Sequence, residues 1–271
     1  MGRVAGLALV LCCLAIPSCR PTAELPRASL AATAEEFYAQ GHRLYQMQQI
    51  DSASAVLARA LAVDSTYLPA LKDMAGLTYE RAMKTARESD VPRPEGLREA
   101  FGYFRRLEEL GFQESELYER LGELAVALKD NHSFLVYASK SAEKHPYDRQ
   151  LYNLGLAYFE VADYNSVIRT QKQALEKFKN SIYVGGFYRQ LGRAYMKLDR
   201  DQTAERTLVS GVQAVDARLP ELRSSATNSE AVRRLTEDKI SMLLLLKKLH
   251  ITYNAQDKLQ NVERQLKEAG K

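Results

Sequence analysis

Three Leu-Gly pairs, Leu121-Gly122, Leu154-Gly155 and Leu191-Gly192, recur at intervals of 33 and 37 residues. The stretch Leu151–Ala174 shows what travels with each pair: Tyr158 three residues after Gly155, a short polar turn, Tyr164, and Ala174 on a second apolar-periodic run. Leu191-Gly192 is followed in the same way by Tyr195, Ala204 and Leu208, and Gly41 by Leu44, Ala53, Leu57 and Ala60. Apolar residues three and four apart indicate helices. A small residue recurring at one place in each helix pair marks where two backbones approach too closely for a larger side chain. A unit of this length cannot bury its apolar face alone, so its copies must stack.

These residues resemble the tetratricopeptide repeat (TPR) family, whose period is close to the intervals above. The resemblance implies an all-α fold: a right-handed superhelical solenoid of about six TPR-like hairpins, the last degenerate and capping. Thr33-Ala34-Glu35-Glu36 is a capping-box sequence and opens the first hairpin, 34–67. The second begins near Leu68, and its second helix, marked by Ala100, Phe104 and Leu107, is delayed by an insertion over 84–96 containing Pro92 and Pro94. The third spans 115–147, with Phe134 and Ala138 exchanging the large and small choices made elsewhere. The fourth is the Leu151–Ala174 stretch, where Gln171 stands in place of an apolar residue. The fifth runs from about Gly185, after Asn180 and a Gly185-Gly186 break, to about Val215. Beyond Arg218 the period lapses around Pro220, and a long helix over 230–255 with a final segment to Ala269 forms a degenerate sixth hairpin. The run Met242–Leu246 reads as core, since five apolar residues in succession wrap all sides of a helix.

All three cysteines, Cys12, Cys13 and Cys19, fall in the first nineteen residues, so the repeat body has no thiol and no disulfide. Residues 1–18 place Arg3 ahead of an apolar run from Val4 to Pro17, too short for the ~20 residues a membrane-spanning helix needs and suited to an export signal. Ile16-Pro17-Ser18-Cys19 resembles a bacterial lipobox, which implies cleavage before Cys19 and lipidation of that cysteine. An ordinary export signal with an incidental cysteine, or an uncleaved anchor, are the other readings. Residues 19–33 then form the lipidated N-terminus and a proline-bearing tether reaching about 20 Å, and 34–271 the solenoid.

Chemistry is sparse. His42, His132, His145 and His250 show no metal-ligand spacing, and there is no nucleophile elbow, phosphate loop or dinucleotide fingerprint. The expectation is no enzyme, no cofactor and no metal. With 38 basic against 34 acidic residues the chain has no strong polyanion footprint, and no nucleic-acid partner is expected. In TPR proteins the first helix of each hairpin lines a concave face that often takes up peptides. By that resemblance the partner-binding candidates are Tyr38, His42 and Tyr45, then Lys72 and Tyr79, then Glu119 and Glu123 (with Glu116), then Tyr152 and Phe159, then Arg189, Arg193 and Lys197 (with Met196). They present recurring aromatics, an acidic stripe in hairpin three and a basic stripe in hairpin five. The expected function is a membrane-anchored interaction scaffold or assembly factor of the bacterial envelope, on the periplasmic or cell-surface side, binding an envelope protein or peptide segment. The alternative is an accessory lipoprotein of a periplasmic transport system, binding a small ligand or a solute-binding protein.

Overall fold

The computed structural model describes residues 32–88, 94–224 and 228–270. The N-terminal signal, Cys19 and the tether to residue 31 lie outside them, as do 89–93 of the insertion and Lys271. The described chain forms six helical hairpins: α1 (Ala34–Gln46) with α2 (Ile50–Val63), α3 (Leu68–Glu88) with α4 (Pro94–Glu109), α5 (Ser115–Ala127) with α6 (Asn131–Lys144), α7 (Asp148–Glu160) with α8 (Tyr164–Lys177), α9 (Val184–Lys197) with α10 (Asp201–Arg223), and α11 (Ser229–Thr252) with α12 (Gln256–Glu268). Each helix packs on the next, and α1, α3, α5 and α7, α9, α11 also approach one another, whereas no two even-numbered helices do. The odd-numbered helices therefore line the inner face.

Local chemistry sets the ends. Thr33 and Glu36 form the reciprocal capping box expected from the sequence. Asp130 and Asp163 cap α6 and α8 by accepting from the Ser133 and Ser166 amides, and also accept from those serines' hydroxyls; the amide bond first at Asp130 and the hydroxyl bond first at Asp163 hold both carboxyls below their usual pKa. Pro94 occupies the first position of α4, where its missing N–H costs nothing.

The turns share a device. Gln48, Lys129, Ala162, Asp199 and Asn254 each have φ between 52° and 61° and sit at the centre of a three-residue turn joining the two helices of a hairpin. The left-handed region costs an L-residue ~1–2 kcal/mol, against the ~0.4–1 kcal/mol that glycine costs through the unfolded chain. Ala162 is exposed. Ala162→Gly should accordingly raise stability by about 0.5 kcal/mol in a denaturant melt.

Counting seven residues back from each turn gives Gly41, Gly122, Gly155, Gly192 and, in the sixth hairpin, Lys247. Sixteen residues after these stand Leu57, Ala138, Gln171, Leu208 and Glu263. A methyl at Gly41 would lie 2.8 Å from the Leu57 side chain, and one at Gly192 2.4 Å from that of Leu208. These are the close approaches expected of the repeat. In the last hairpin the contact is replaced by the Lys247–Glu263 ion pair at 2.9 Å. Only Val262 and Leu266 of α12 are buried, so the helix seals the core with one side and solvates the other.

Two sequence expectations are corrected. Gly185-Gly186 is not a break: both lie in the first turn of α9, because Asp238 packs over Gly185 and Tyr152 over Gly186, where a methyl would meet them at 2.8 and 2.5 Å. The helix also does not stop at Pro220, which lies inside α10, although the period does lapse there, with 55 residues between Gly192 and Lys247. There Leu219 and Leu222 are buried against α11 beside Leu235, which offsets one lost bond near the helix end. Of the apolar run in α11, Met242, Leu243 and Leu246 are core, Leu245 is half-buried and Leu244 is 50% exposed.

The core is not uniform. One large cluster spans the first three hairpins around Leu57, Leu71, Leu77 and Leu121, and another spans α9 to α12 around Leu208, Leu235 and Met242. Between them lie two small clusters, around Phe134 and Phe187. This middle region also buries Gln171 and Gln190, at 0% and 1% exposure. Their side-chain amides donate to the Leu151 and Tyr152 carbonyls of α7 at 3.1 and 3.2 Å. Gly155 leaves the side of α7 open enough for both to reach the backbone.

Candidate functional site

The repeat register places the inner-face candidates in columns. Tyr38, Glu119, Tyr152 and Arg189 sit three residues before the glycine position, and His42, Glu123 and Arg193 one after it. Tyr45 and Phe159 sit four after, Lys197 five. All are on odd-numbered helices.

Most of them bind the neighbouring hairpin. His42 Nδ1 meets Asp73 at 2.6 Å and its ring packs on Tyr38. Tyr45 donates to Glu80 at 3.1 Å, and burial, with that bond after it, pushes its phenol up to about 12. Lys72 lies over the Phe112 ring at 4.0 Å. Tyr79, expected on the surface, is buried, donates to Glu123 and carries the Arg120 guanidinium over its ring. Glu119 and Glu123 are not a free acidic stripe: Arg149 of α7 bridges them at 3.3 and 3.1 Å. Gln150 also donates to Glu119, at 2.5 Å. Arg189 donates to the Tyr152 hydroxyl at 2.9 Å. It also lies 3.1 Å from the Asp238 carboxylate, its Nε–H not aimed at it, so this contact is an ion pair rather than a hydrogen bond. Burial raises the Asp238 pKa, with Arg189 opposing. These contacts form a ladder that fixes the angle between hairpins.

Recesses remain open beside these contacts. Between α5 and α7, which make no close backbone approach, a recess of about 520 Å³ is floored by Phe134, Ala138 and Leu156 and rimmed by Glu119, Arg149 and Gln150. Its origin is the Gly122–Ala138 pairing: with alanine where hairpins one and five have leucine, only Phe134 comes within 4 Å of a methyl at Gly122, at 3.8 Å. A second recess, of about 390 Å³, lies between α7, α9 and α11 around Phe159, Arg193 and Lys197. Arg193 stacks over Phe159 at 4.0 Å. Burial first, then neighbouring Arg189, pulls its pKa below the ordinary guanidinium value.

Neither a protein-family model nor a curated protein sequence matches the chain. Among solved structures it is similar to YrrB, a TPR protein with an unusual peptide-binding site, with a TM-score of 0.54 at 15% identity over 67% of this chain and 86% of that one. The fold is that of the TPR proteins. The TPR solenoid is also similar to MamA, with a TM-score of 0.53 at 14% identity over 68% of this chain and 92% of MamA. Pseudomonas aeruginosa PilF matches with a TM-score of 0.50 at 14% identity, over 88% and 91% of the two chains.

The TPR register also shows what the sequence reading passed over. In the sixth hairpin the columns carry Leu244, Lys248 and Ile251, all exposed and one helical face of α11. Asn254, seven residues after Lys247, was the signal that fixes this register. Arg149, Gln150 and Asp238 were missed as well; nothing local in their sequence marks them, because their role depends on the hairpin they face.

Proposed function

We propose that this chain is a non-catalytic interaction module of the bacterial envelope, tethered to the membrane through lipid on Cys19, that takes up a segment of an envelope protein along its inner face. The observation that carries the reading is the pair of recesses opening on the inner face of a TPR solenoid whose remaining inner-face charges are mostly paired. A rigid wall with two apolar-floored openings suits anchor side chains of a bound segment. The export signal and lipobox-like Ile16–Cys19 support the location. Among the described residues no helix is long and apolar enough to cross a membrane. Site-specific crosslinking in the native host, from the inner face and from the outer face, tests the reading.

The second reading is a transport accessory holding a small ligand between α5 and α7. It is favoured by the volume there, about 520 Å³, within the ~300–1,000 Å³ typical of small-molecule sites. A ligand bound there would be displaced by Ala138→Leu, whereas a segment spanning the inner face would keep its other contacts.

A further inference from the structure

Along the inner face nearly every charge has a partner in the adjacent hairpin, until the last two hairpins. There Arg193, Lys197 and Lys248 line one recess with Phe159, Met196 and Leu245. None of the three has a carboxylate within ion-pair distance among the described residues, whereas nearby Lys247 and Lys258 are held by Glu263 and Glu205. The one acid lining the recess, Asp201, already accepts from the Tyr253 hydroxyl at 2.5 Å. Arg193 is fixed by stacking on Phe159 and half-buried, so its N–H edges are preorganised and partly desolvated, the condition under which a carboxylate is bound most strongly. Arg193 and Lys248 hold the same repeat position in neighbouring hairpins. Lys248 is flanked on its own helical face by Leu244 and Ile251, 50% and 58% exposed.

We propose that this recess docks an acidic amphipathic segment of the partner, with carboxylates on Arg193, Lys197 and Lys248 and an apolar side chain against Phe159 and Leu245. The inference rests on the inner-face reading above and adds the occupant's chemistry and the end of the solenoid that holds it. Charge complementarity selects the acidic segment. Leu244 and Ile251, one helical turn either side of Lys248, give its apolar residues somewhere to lie. A basic or neutral segment would leave three cations unpaired at the rim of an apolar recess.

The test uses the full-length protein in detergent and a fluorescent peptide of about four helical turns (~14 residues), acetylated and amidated so that no terminal carboxylate is present. Leucine stands at every third or fourth position and glutamate elsewhere; a twin carries glutamine for glutamate. The glutamate peptide should bind at least about tenfold tighter than its twin, and its affinity should fall with added salt. Lys197→Glu with Lys248→Glu changes two exposed side chains without internal partners, so the fold should survive; peptide affinity should drop at least about tenfold with an unchanged circular-dichroism melt. Adding Arg193→Glu should abolish binding. Equal affinity for both peptides, or undiminished binding by the double variant, overturns the proposal. So does displacement by inorganic phosphate beyond that by chloride at equal ionic strength, which would make the recess a site for free oxyanions. If the double variant binds normally while the native partner still crosslinks to inner-face positions, the site is wrong and the broader reading stands. Crosslinks from the outer face alone would remove both.

Discussion

Gly155→Ala should destabilise the protein by about 3 kcal/mol, while Gly122→Ala, one repeat earlier, should be neutral or stabilising by up to about 1 kcal/mol. Both glycines lie mid-helix at the same repeat position, so helix propensity alone gives them the same sign. Packing separates them. A methyl at residue 155 would lie 1.6 Å from Gln171 Nε2 and 2.5 Å from Gln190 Oε1. Both glutamines are buried, and both donate to carbonyls of α7. Displacing them breaks two buried hydrogen bonds, and each group left unpaired costs ~1–3 kcal/mol. The gain of ~1 kcal/mol from removing glycine does not offset this. At Gly122 the nearest atom to a methyl is Phe134 Cδ2 at 3.8 Å, an ordinary contact. Denaturant melts of the two variants side by side check the difference. A similar loss in both would mean that the glycines matter for helix pairing in general and not for the buried glutamines.

Cys19→Ala should move the protein from the membrane fraction to the soluble fraction. Under the proposed lipidation, acyl chains at residue 19 supply the membrane attachment, each buried CH₂ contributing ~0.8 kcal/mol. The same variant should lose the added mass of the lipid. Complete retention on the membrane would instead make the apolar run from Val4 to Pro17 an uncleaved anchor. Unchanged location with unchanged mass would make Cys19 incidental.

The fold was legible because its strongest signals are local. Gly41 with Leu57 and Gly192 with Leu208 show both partners of a close approach in the sequence, at one spacing. The turns were less legible: of the five left-handed residues only Asp199 and Asn254 belong to types that favour that conformation, and tertiary packing imposes it on Gln48, Lys129 and Ala162. Gly185-Gly186 looked like punctuation, but Asp238, 53 residues beyond Gly185, occupies the space a side chain would need. Pro220 looked like a stop, but burial of Leu219 and Leu222 carries α10 past it. The columns of the inner face were readable from the register. Which charges stay free was not, because pairing depends on how each hairpin meets the next. Arg149 finds Glu119 and Glu123 only once α6 sets α7 across from α5.

The central claim, that the inner face takes up a partner segment, is tested most directly by photo-crosslinking in the native host with a photoreactive residue at Lys197 or, as the control, at Ala58. Lys197 is exposed on the inner helix α9, and Ala58 is exposed on the outer helix α2. The account predicts a discrete partner adduct from position 197 and none from position 58. Adducts of equal yield from both positions, or from position 58 alone, would contradict it.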